Sequence, residues 1–573
     1  MIRPFESIAD ASTYDVIVVG AGAAGMAAAL FAAIERQKVL LVERTEYVGG
    51  TSALSAATTW IPNSQHAGKV SADDSFETAA RFLTGVVGNH SDAAMREAFL
   101  RSGPTAVATL EAHSEVHFRP YANHPDYEQD VEGATLRGRA LEPLPFDGRA
   151  LGGSLRYLRP PIPEFTLFGG MMVDRTDIGH LLNLQRKPAS FVHAAKILAR
   201  YGRDRLSGSK RGTRLLMGNA LVGRFFKSLL DRNVDIVTET SVRAFETGGD
   251  GVSGLIADCN GVRRRLRASR AVVLAAGGFG RSAKRRAEML PADVPMHSPA
   301  APGHTGEMQD LALGLGARFG EGARDNAFMA PVSLRQRPDG TTGVFPHFVL
   351  DRSKPGTMCV NQRGERFVNE ATSYQSFVRA MLEAHRTTPT IPCYIVTDRI
   401  GLKTYGLGMV RLGTRDLTPY LADGYLTQAD TPRELAGKLG MEPAALEKSI
   451  AAMNAFAATG VDLQFGRGNT AYDRVNGDAA HEPNPTLGRI TTAPFYAVRL
   501  FPSDIGAATG LAIDAWARVL GPASRPIGRL YACGNEAQSI MGGTYPGPGI
   551  TLGPAITFAW RAIRHAVHGE AEQ

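Results

Sequence analysis

One short stretch near the start of the chain constrains the fold more than anything else. Asp15-Val-Ile-Val-Val-Gly20 is a β-branched, apolar run closed by glycine, which is the signature of a buried parallel strand. Gly20-Ala-Gly22-Ala23-Ala24-Gly25 follows, and Met26 to Ile34 continues as an alanine-rich helix. Lys38-Val-Leu-Leu-Val-Glu43 is then a second strand with a carboxylate at its end. A lone G-x-G-x-x-G says little. With its strand, helix and acid it predicts a dinucleotide site. Gly20 permits the tight turn, Gly22 lets a pyrophosphate reach the backbone, and Gly25 lets helix and strand pack closely. The helix N-terminus offers unpaired N–H groups and a positive dipole end to the phosphates. Glu43 is placed to accept hydrogen bonds from a ribose hydroxyl. The same glycine pattern argues against reading Val16 to Ile34, which is nearly all apolar, as a membrane span.

At 573 residues the chain exceeds one ordinary domain, so two or more units are expected. The four cysteines, Cys259, Cys359, Cys393 and Cys533, are widely spaced with no CxxC pair. That spacing disfavours a disulfide scaffold or a zinc site and suits reduced thiols in a cytoplasmic setting. No metal site is expected. The first residues lack the apolar core of a secretory signal.

Net charge is +7 and unevenly spread. Between Gln185 and Arg214 stand Arg186, Lys187, Lys196, Arg200, Arg203, Arg205, Lys210, Arg211 and Arg214 against the single Asp204. Phe191, Val192, Ala195, Leu198 and Tyr201 are spaced to share one face of a short helix there. The plain reading of this basic segment, residues 183–215, is a solvated insertion. The sharper one is a peripheral contact with anionic lipid, giving a cytoplasmic, membrane-associated protein. No nucleic-acid motif accompanies the charge.

After the second strand the chain runs Arg44-Thr-Glu-Tyr-Val-Gly49-Gly50-Thr51-Ser52-Ala-Leu-Ser55. This segment resembles the fumarate reductase/succinate dehydrogenase type of flavoprotein, which implies FAD rather than NAD. Ala271-Val-Val-Leu-Ala-Ala276-Gly277-Gly278-Phe and Gly528-Arg-Leu-Tyr-Ala-Cys-Gly534-Asn535-Glu-Ala are two further segments of that kind. Asn535 stands where the family usually carries an acid. The resemblance implies an α/β fold: a Rossmann-like FAD-binding domain from residues 1–290 and 488–573, with an inserted α+β substrate-capping domain at 291–487. No second fingerprint opens another βαβ unit, so a built-in NAD(P)H domain is not expected.

Within that broad family, Gly542-Gly-Thr-Tyr545-Pro-Gly547-Pro548-Gly549-Ile-Thr551-Leu552-Gly-Pro resembles the Y-P-G-x-G segment of the 3-ketosteroid Δ1-dehydrogenases. Thr551 and Leu552 fall on the cofactor side of it. Tyr374, four residues after Glu370, and Tyr127, in Pro125-Asp-Tyr127-Glu, resemble that group's other tyrosine segments. The catalytic arginine of fumarate reductases is missing. The resemblance implies removal of an α proton and a β hydride from a ring ketone. The carbonyl oxygen must be polarised as enolate charge develops, and Tyr545 hydroxyl with the Gly549 N–H would form that oxyanion hole. Tyr374 would be the base, its anion helped by a donor such as Tyr127. An external acceptor, quinone-like, would reoxidise the flavin. The alternatives are a fumarate- or enoate-type reductase, a 4(5)-desaturating ketosteroid enzyme, and a flavin-binding electron carrier without turnover. His304 reads as a structural residue or flavin neighbour, and Arg352 and Arg366 as structural ion-pair partners.

Overall fold

The computed structural model describes residues 1–70, 74–182, 187–337, 339–348 and 351–571. The first strand, Ser12–Val19, ends at Gly20 (φ 105°), and the helix Ala23–Ile34 turns back along it. A side chain at Gly20 would meet the Ala275 carbonyl, and one at Gly25 the Gly20 carbonyl, so this turn admits only glycine. The apolar stretch that could pass for a membrane span is thus split into a strand and a helix. Among the described residues no helix is long and apolar enough to cross a membrane.

Five parallel strands form the centre of the first sheet, in the order Asp235–Val237, Val39–Val42, Ser12–Val19, Val262–Leu274, Pro526–Ala532. Antiparallel strands Gly251–Cys259 and Ser241–Gly248 extend it past Val262–Leu274. Both faces are covered. Val16, Val18 and Leu41 enter one apolar core, while Ile17, Val19, Leu40 and Val42 enter the other. That is why the strand sequences read as unbroken apolar runs. The helices Ala23–Ile34, Met217–Asp231 and Leu552–His568 pack together over the first of these faces.

A second, antiparallel sheet runs in the order Thr342–Pro346, Ala327–Gln336, Phe495–Ala507, Cys393–Asp398, Thr357–Val360. Its central strand, Phe495–Ala507, lies beyond the border expected at residue 488. Alternation along that strand serves the second sheet's core, so the return to the first sheet comes only after Ala507. A buried cluster ties this part together: Arg366 holds Glu370 and Asp462, and Arg467 also reaches Glu370. Arg352 differs from its expected ion-pair role. Its guanidinium donates to the carbonyls of His347, Phe348, Glu370 and Thr372, fixing the chain just before Tyr374.

The basic segment is more ordered than a short helix. Arg175–Leu182 and the 19-residue helix Pro188–Leu206 pack against each other. Residues 183–186 of the segment lie outside the described ones. Tyr201 does not share the face of Phe191, Val192, Ala195 and Leu198; it turns in, its hydroxyl donating to the Phe168 carbonyl at 2.6 Å.

Candidate active site

Between the two sheets runs one continuous cavity of about 1100 Å³. Its nucleotide end is lined by Gly20, Gly22, Ala23, Ala24, Glu43, Arg44, Gly50, Thr51, Ser52, Ser55, Ala276, Gly277, Gly534, Asn535, Thr551 and Leu552. Segments far apart in the chain therefore meet on one wall. Two of the expected cofactor residues, Gly25 and Gly278, do not line it. Gly25 serves the helix–strand contact, and the Gly278 N–H donates to buried Glu536 at 3.0 Å.

The residues present suit a dinucleotide. A Cβ at Gly22 would find nothing nearer than Ser52 Oγ at 4.0 Å, so open space lies against the backbone at the helix N-terminus. Glu43 is held by the N–H groups of Ala21 and Thr45, both at 2.9 Å, and still faces the cavity. The helix Leu552–His568 begins at the same wall without a side-chain cap; the Gly553 N–H donates to the Gly549 carbonyl at 3.1 Å and Pro554 has no N–H, so the Leu552 N–H is the first-turn donor without an acceptor among the described residues. His304 is half-buried, with a buried Nδ1 lacking a partner among the described residues and Nε2 at 3.4 Å from Thr51 Oγ1. Burial, aided by Arg281 and Arg159, pushes it down to about 4, so it stands neutral beside the cofactor position. Arg159, which nothing local in the sequence marks, lines this end and donates to Thr45 Oγ1 at 2.8 Å.

At the other end Tyr127, Tyr374, Tyr545 and Gly549 all face the cavity. The ring centroids of Tyr374 and Tyr545 are 4.9 Å apart, those of Tyr127 and Tyr545 5.5 Å, and Tyr127 Oη lies 3.3 Å from Tyr374 Oη. Each ring has a local reason for its place. Tyr374 is the first residue of the helix Tyr374–His385, whose cap is the Ser373 hydroxyl. Tyr127 follows Asp126, a buried carboxylate that takes the Trp60 indole N–H at 2.8 Å and an Arg139 N–H at 2.7 Å. The Tyr127 N–H then donates to the Pro546 carbonyl at 2.8 Å, which fastens the first tyrosine segment to the last. Gly549 has φ 92°, and a Cβ there would strike the Thr58 carbonyl. Its carbonyl accepts from Trp60 N–H, while its own N–H has no acceptor among the described residues.

Tyr472 completes the cluster. It is buried, lines the cavity and stands 4.6 Å from Tyr127, centroid to centroid. No motif surrounds it, and only the packing of the second sheet on the tyrosine segments brings it in. Burial raises all four phenols. Tyr545 is pushed up to about 12, and Tyr374 well above the ordinary tyrosine range by burial and then by the hydroxyls of Tyr127 and Tyr545. The expected lowering of Tyr374 by a Tyr127 donor does not occur here: the Tyr127 hydroxyl adds to the upward shift that burial causes. The site can accept a proton and donate to a carbonyl oxygen in a buried, aromatic enclosure. Beside it, Ser333, His347 and Asp351 form a chain of hydrogen bonds at 2.7 and 2.6 Å. Ser333 Oγ is buried against Tyr425 and cannot serve as a nucleophile.

The FAD binding domain family matches residues 15–552. The chain is 33% identical to 4-oxocyclohex-2-ene-1-carboxylate 5-dehydrogenase of Sinomonas cyclohexanicum, covering 96% of this chain and 93% of the relative. It is also 33% identical to 3-oxosteroid 1-dehydrogenase of Mycobacterium tuberculosis, over 96% and 98%. The crystal structure of 3-ketosteroid delta1-dehydrogenase from Sterolibacterium denitrificans, in complex with 1,4-androstadiene-3,17-dione, superposes with a TM-score of 0.90. Identity to it is 34%, covering 98% of this chain and all of that one.

Proposed function

This chain belongs to the FAD binding domain family of oxidoreductases, and from that premise we propose that it introduces a C1–C2 double bond into 3-ketosteroids. The convergence of Tyr127, Tyr374 and Tyr545 on one buried point of the cavity carries the reading. Tyr545 hydroxyl and the Gly549 N–H hold the C3 carbonyl oxygen and stabilise the enolate charge that develops on it. Tyr374 Oη takes the C2 proton. Tyr374 sits at a helix N-terminus, where the dipole favours a phenolate and opposes the effect of burial. Tyr127, hydrogen-bonded to Tyr374, supports that charge. When bound, FAD supplies the acceptor for the C1 hydride, at its N5. Phe328 and Phe348 pack edge-on against Tyr545 and Tyr374 and keep water from the reacting carbons.

An external acceptor of quinone type reoxidises the cofactor, and a peripheral contact with anionic lipid would suit both it and an apolar substrate. A fumarate-type site needs arginines converging on the substrate. Here Arg44 and Arg159 lie at the nucleotide end, committed to Glu307 and Thr45.

A second reading keeps the chemistry and changes the substrate to a 4-oxocyclohexane carboxylate. Arg119 and Arg411, which line the outer cavity, are placed to meet a carboxylate there. Arg119 is already paired with Glu142 at 2.6 Å and Arg411 donates to the Pro163 carbonyl, which favours the neutral steroid. The test is anaerobic addition of androst-4-ene-3,17-dione to the oxidised holoenzyme, following flavin absorbance and product mass. Rapid bleaching and a product two mass units lighter are expected. Bleaching only by the monocyclic keto acid would transfer the assignment to the second reading.

A further inference from the structure

The small hairpin Thr166–Leu167/Met171–Met172 and the helix Arg175–Leu182 form part of the cavity wall, and the helix Pro188–Leu206 packs against Arg175–Leu182. Leu167 and Met172 of the hairpin and Ile178 and Leu181 of the short helix are among the cavity lining. The outer side of this unit is unlike the rest of the surface. Of the thirteen exposed large apolar side chains among the described residues, five are here: Phe168, Phe191, Val192, Leu198 and Leu206. Phe191 is 63% exposed, Leu206 91%, and Phe168, at the hairpin tip, 68%.

The long helix arranges these side chains. At about 100° per residue, Phe191, Val192, Ala195, Leu198, Gly202 and Leu206 fall in an outward stripe about 120° wide. Ser190, Ala194 and Asp204, all buried, face the protein. Lys196 and Arg203 flank one edge of the stripe, Lys187 and Arg205 the other. Lys187, Lys196 and Arg203 are exposed and have no acidic partner among the described residues. The segment's own acids are turned inward. Asp177 takes His193 at 2.7 Å and Arg214, and Asp204 takes the Thr213 N–H at 2.8 Å. An apolar stripe rimmed by lysine and arginine on both sides fits the boundary of an anionic bilayer: the stripe enters the acyl region and the cations meet headgroup phosphates. A second copy of the same face would bring like charges together, and nucleic acid offers nothing to the stripe.

We propose that this face is a docking surface for an anionic phospholipid bilayer, and that apolar substrate passes from the bilayer beneath the helix pair into the cavity. The second half rests on the fused-ring ketone reading above; the first does not. The experiment is sedimentation of the holoenzyme with vesicles of phosphatidylcholine, with and without about one-third phosphatidylglycerol. Two variants accompany it, Phe168→Ser/Phe191→Ser/Leu198→Ser and Lys187→Glu/Lys196→Glu/Arg203→Glu, each checked for an unchanged flavin spectrum. The wild type should bind only the anionic vesicles, less so in high salt, and each variant should lose about tenfold or more of that binding. Turnover of ketosteroid carried on cyclodextrin should be unchanged in the variants, while turnover of vesicle-dissolved ketosteroid falls. Equal vesicle binding by wild type and variants would overturn the surface. So would a wild-type dimer made monomeric by the serine variant. Equal turnover from vesicles would overturn the delivery route alone. Loss of vesicle binding without flavin bleaching by any ketosteroid would leave the surface standing and remove the substrate reading.

Discussion

Tyr374 and Tyr545 are both phenols in the same enclosure, yet their proposed tasks differ, and different substitutions report on each. Tyr545→Phe removes one donor from the developing enolate oxygen, which should lower kcat about 100-fold or more while substrate binding changes little. Stopped-flow bleaching separates the two. Tyr374 must act as phenolate, and its pKa is raised above the ordinary value of 10. Its anionic fraction therefore grows with pH throughout the neutral and mildly alkaline range. The logarithm of kcat/KM should climb with pH through 10 without a plateau, and Tyr374→Phe should abolish that slope; a flat profile in the wild type would remove Tyr374 as the base. Glu536 is a separate case. Burial pushes its carboxyl up to about 7 from the ordinary 4.5, against the pull of the N–H groups of Gly278, Ala276 and Gly277. A raised folded pKa means that its contribution to stability is whole below about 4.5 and is lost as pH rises through about 7. Glu536→Gln should flatten the fall in Tm between these pH values. An unaltered slope would place the titration elsewhere.

At the scale of elements, the tyrosine cluster depends on how loops are pinned. The loop bearing Tyr127 is fixed by Asp126, whose partners Trp60 and Arg139 come from the neighbouring strands Thr59–Trp60 and the approach to Ala140–Pro143. Arg139 is also paired with Asp74, and all of these side chains are buried. Removing one partner of such a pair strands a charge, so Asp126→Ala should cost about 3–5 kcal/mol of stability. Calorimetry tests that figure, and a loss below about 1 kcal/mol would contradict the anchoring role. The opening βαβ unit was legible because each residue type there answers a steric demand within a few neighbours. The Tyr545 segment was legible through its motif alone, for its glycines make close contact with distant chain, Gly542 with His90 and Gly549 with Thr58. Arg352 was misread because its partners are carbonyls, and an arginine's sequence neighbours do not reveal whether carboxylate or backbone will meet it. A border at residue 488 leaves Phe495–Ala507 on the side of the first sheet, because an apolar run does not itself say which sheet will take it. Only strand pairing decides which one takes it.

For the whole molecule, the cavity between the sheets couples cofactor to stability. Its walls include segments from both sheets, so FAD bound there adds contacts to parts that already share an apolar core through Phe328 and Ala330. Binding to the folded chain alone adds about 2.7 kcal/mol when free FAD is at about 100 times its Kd. Deflavinated protein should therefore melt at a lower temperature, and Tm should rise with added FAD. A Tm indifferent to FAD would mean that the glycine-lined wall does not hold it. The docking surface belongs to this scale too, since the long helix that carries it packs on the short helix whose Ile178 and Leu181 line the cavity.

What the sequence determined alone is what short-range sterics and hydrogen bonding decide. The glycine turn, the buried parallel strands, the acid at Glu43 and the turn through Gly549 each follow from contacts within one unit or from a backbone only glycine adopts. What the tertiary structure decided is which distant pieces share a wall. Tyr472 and Arg159 enter the site, Gly25 and Gly278 leave it, and Tyr201 turns inward while Phe191 stays exposed. Those outcomes depend on how the sheets and helices pack, and packing is a property of the whole chain that no local pattern records.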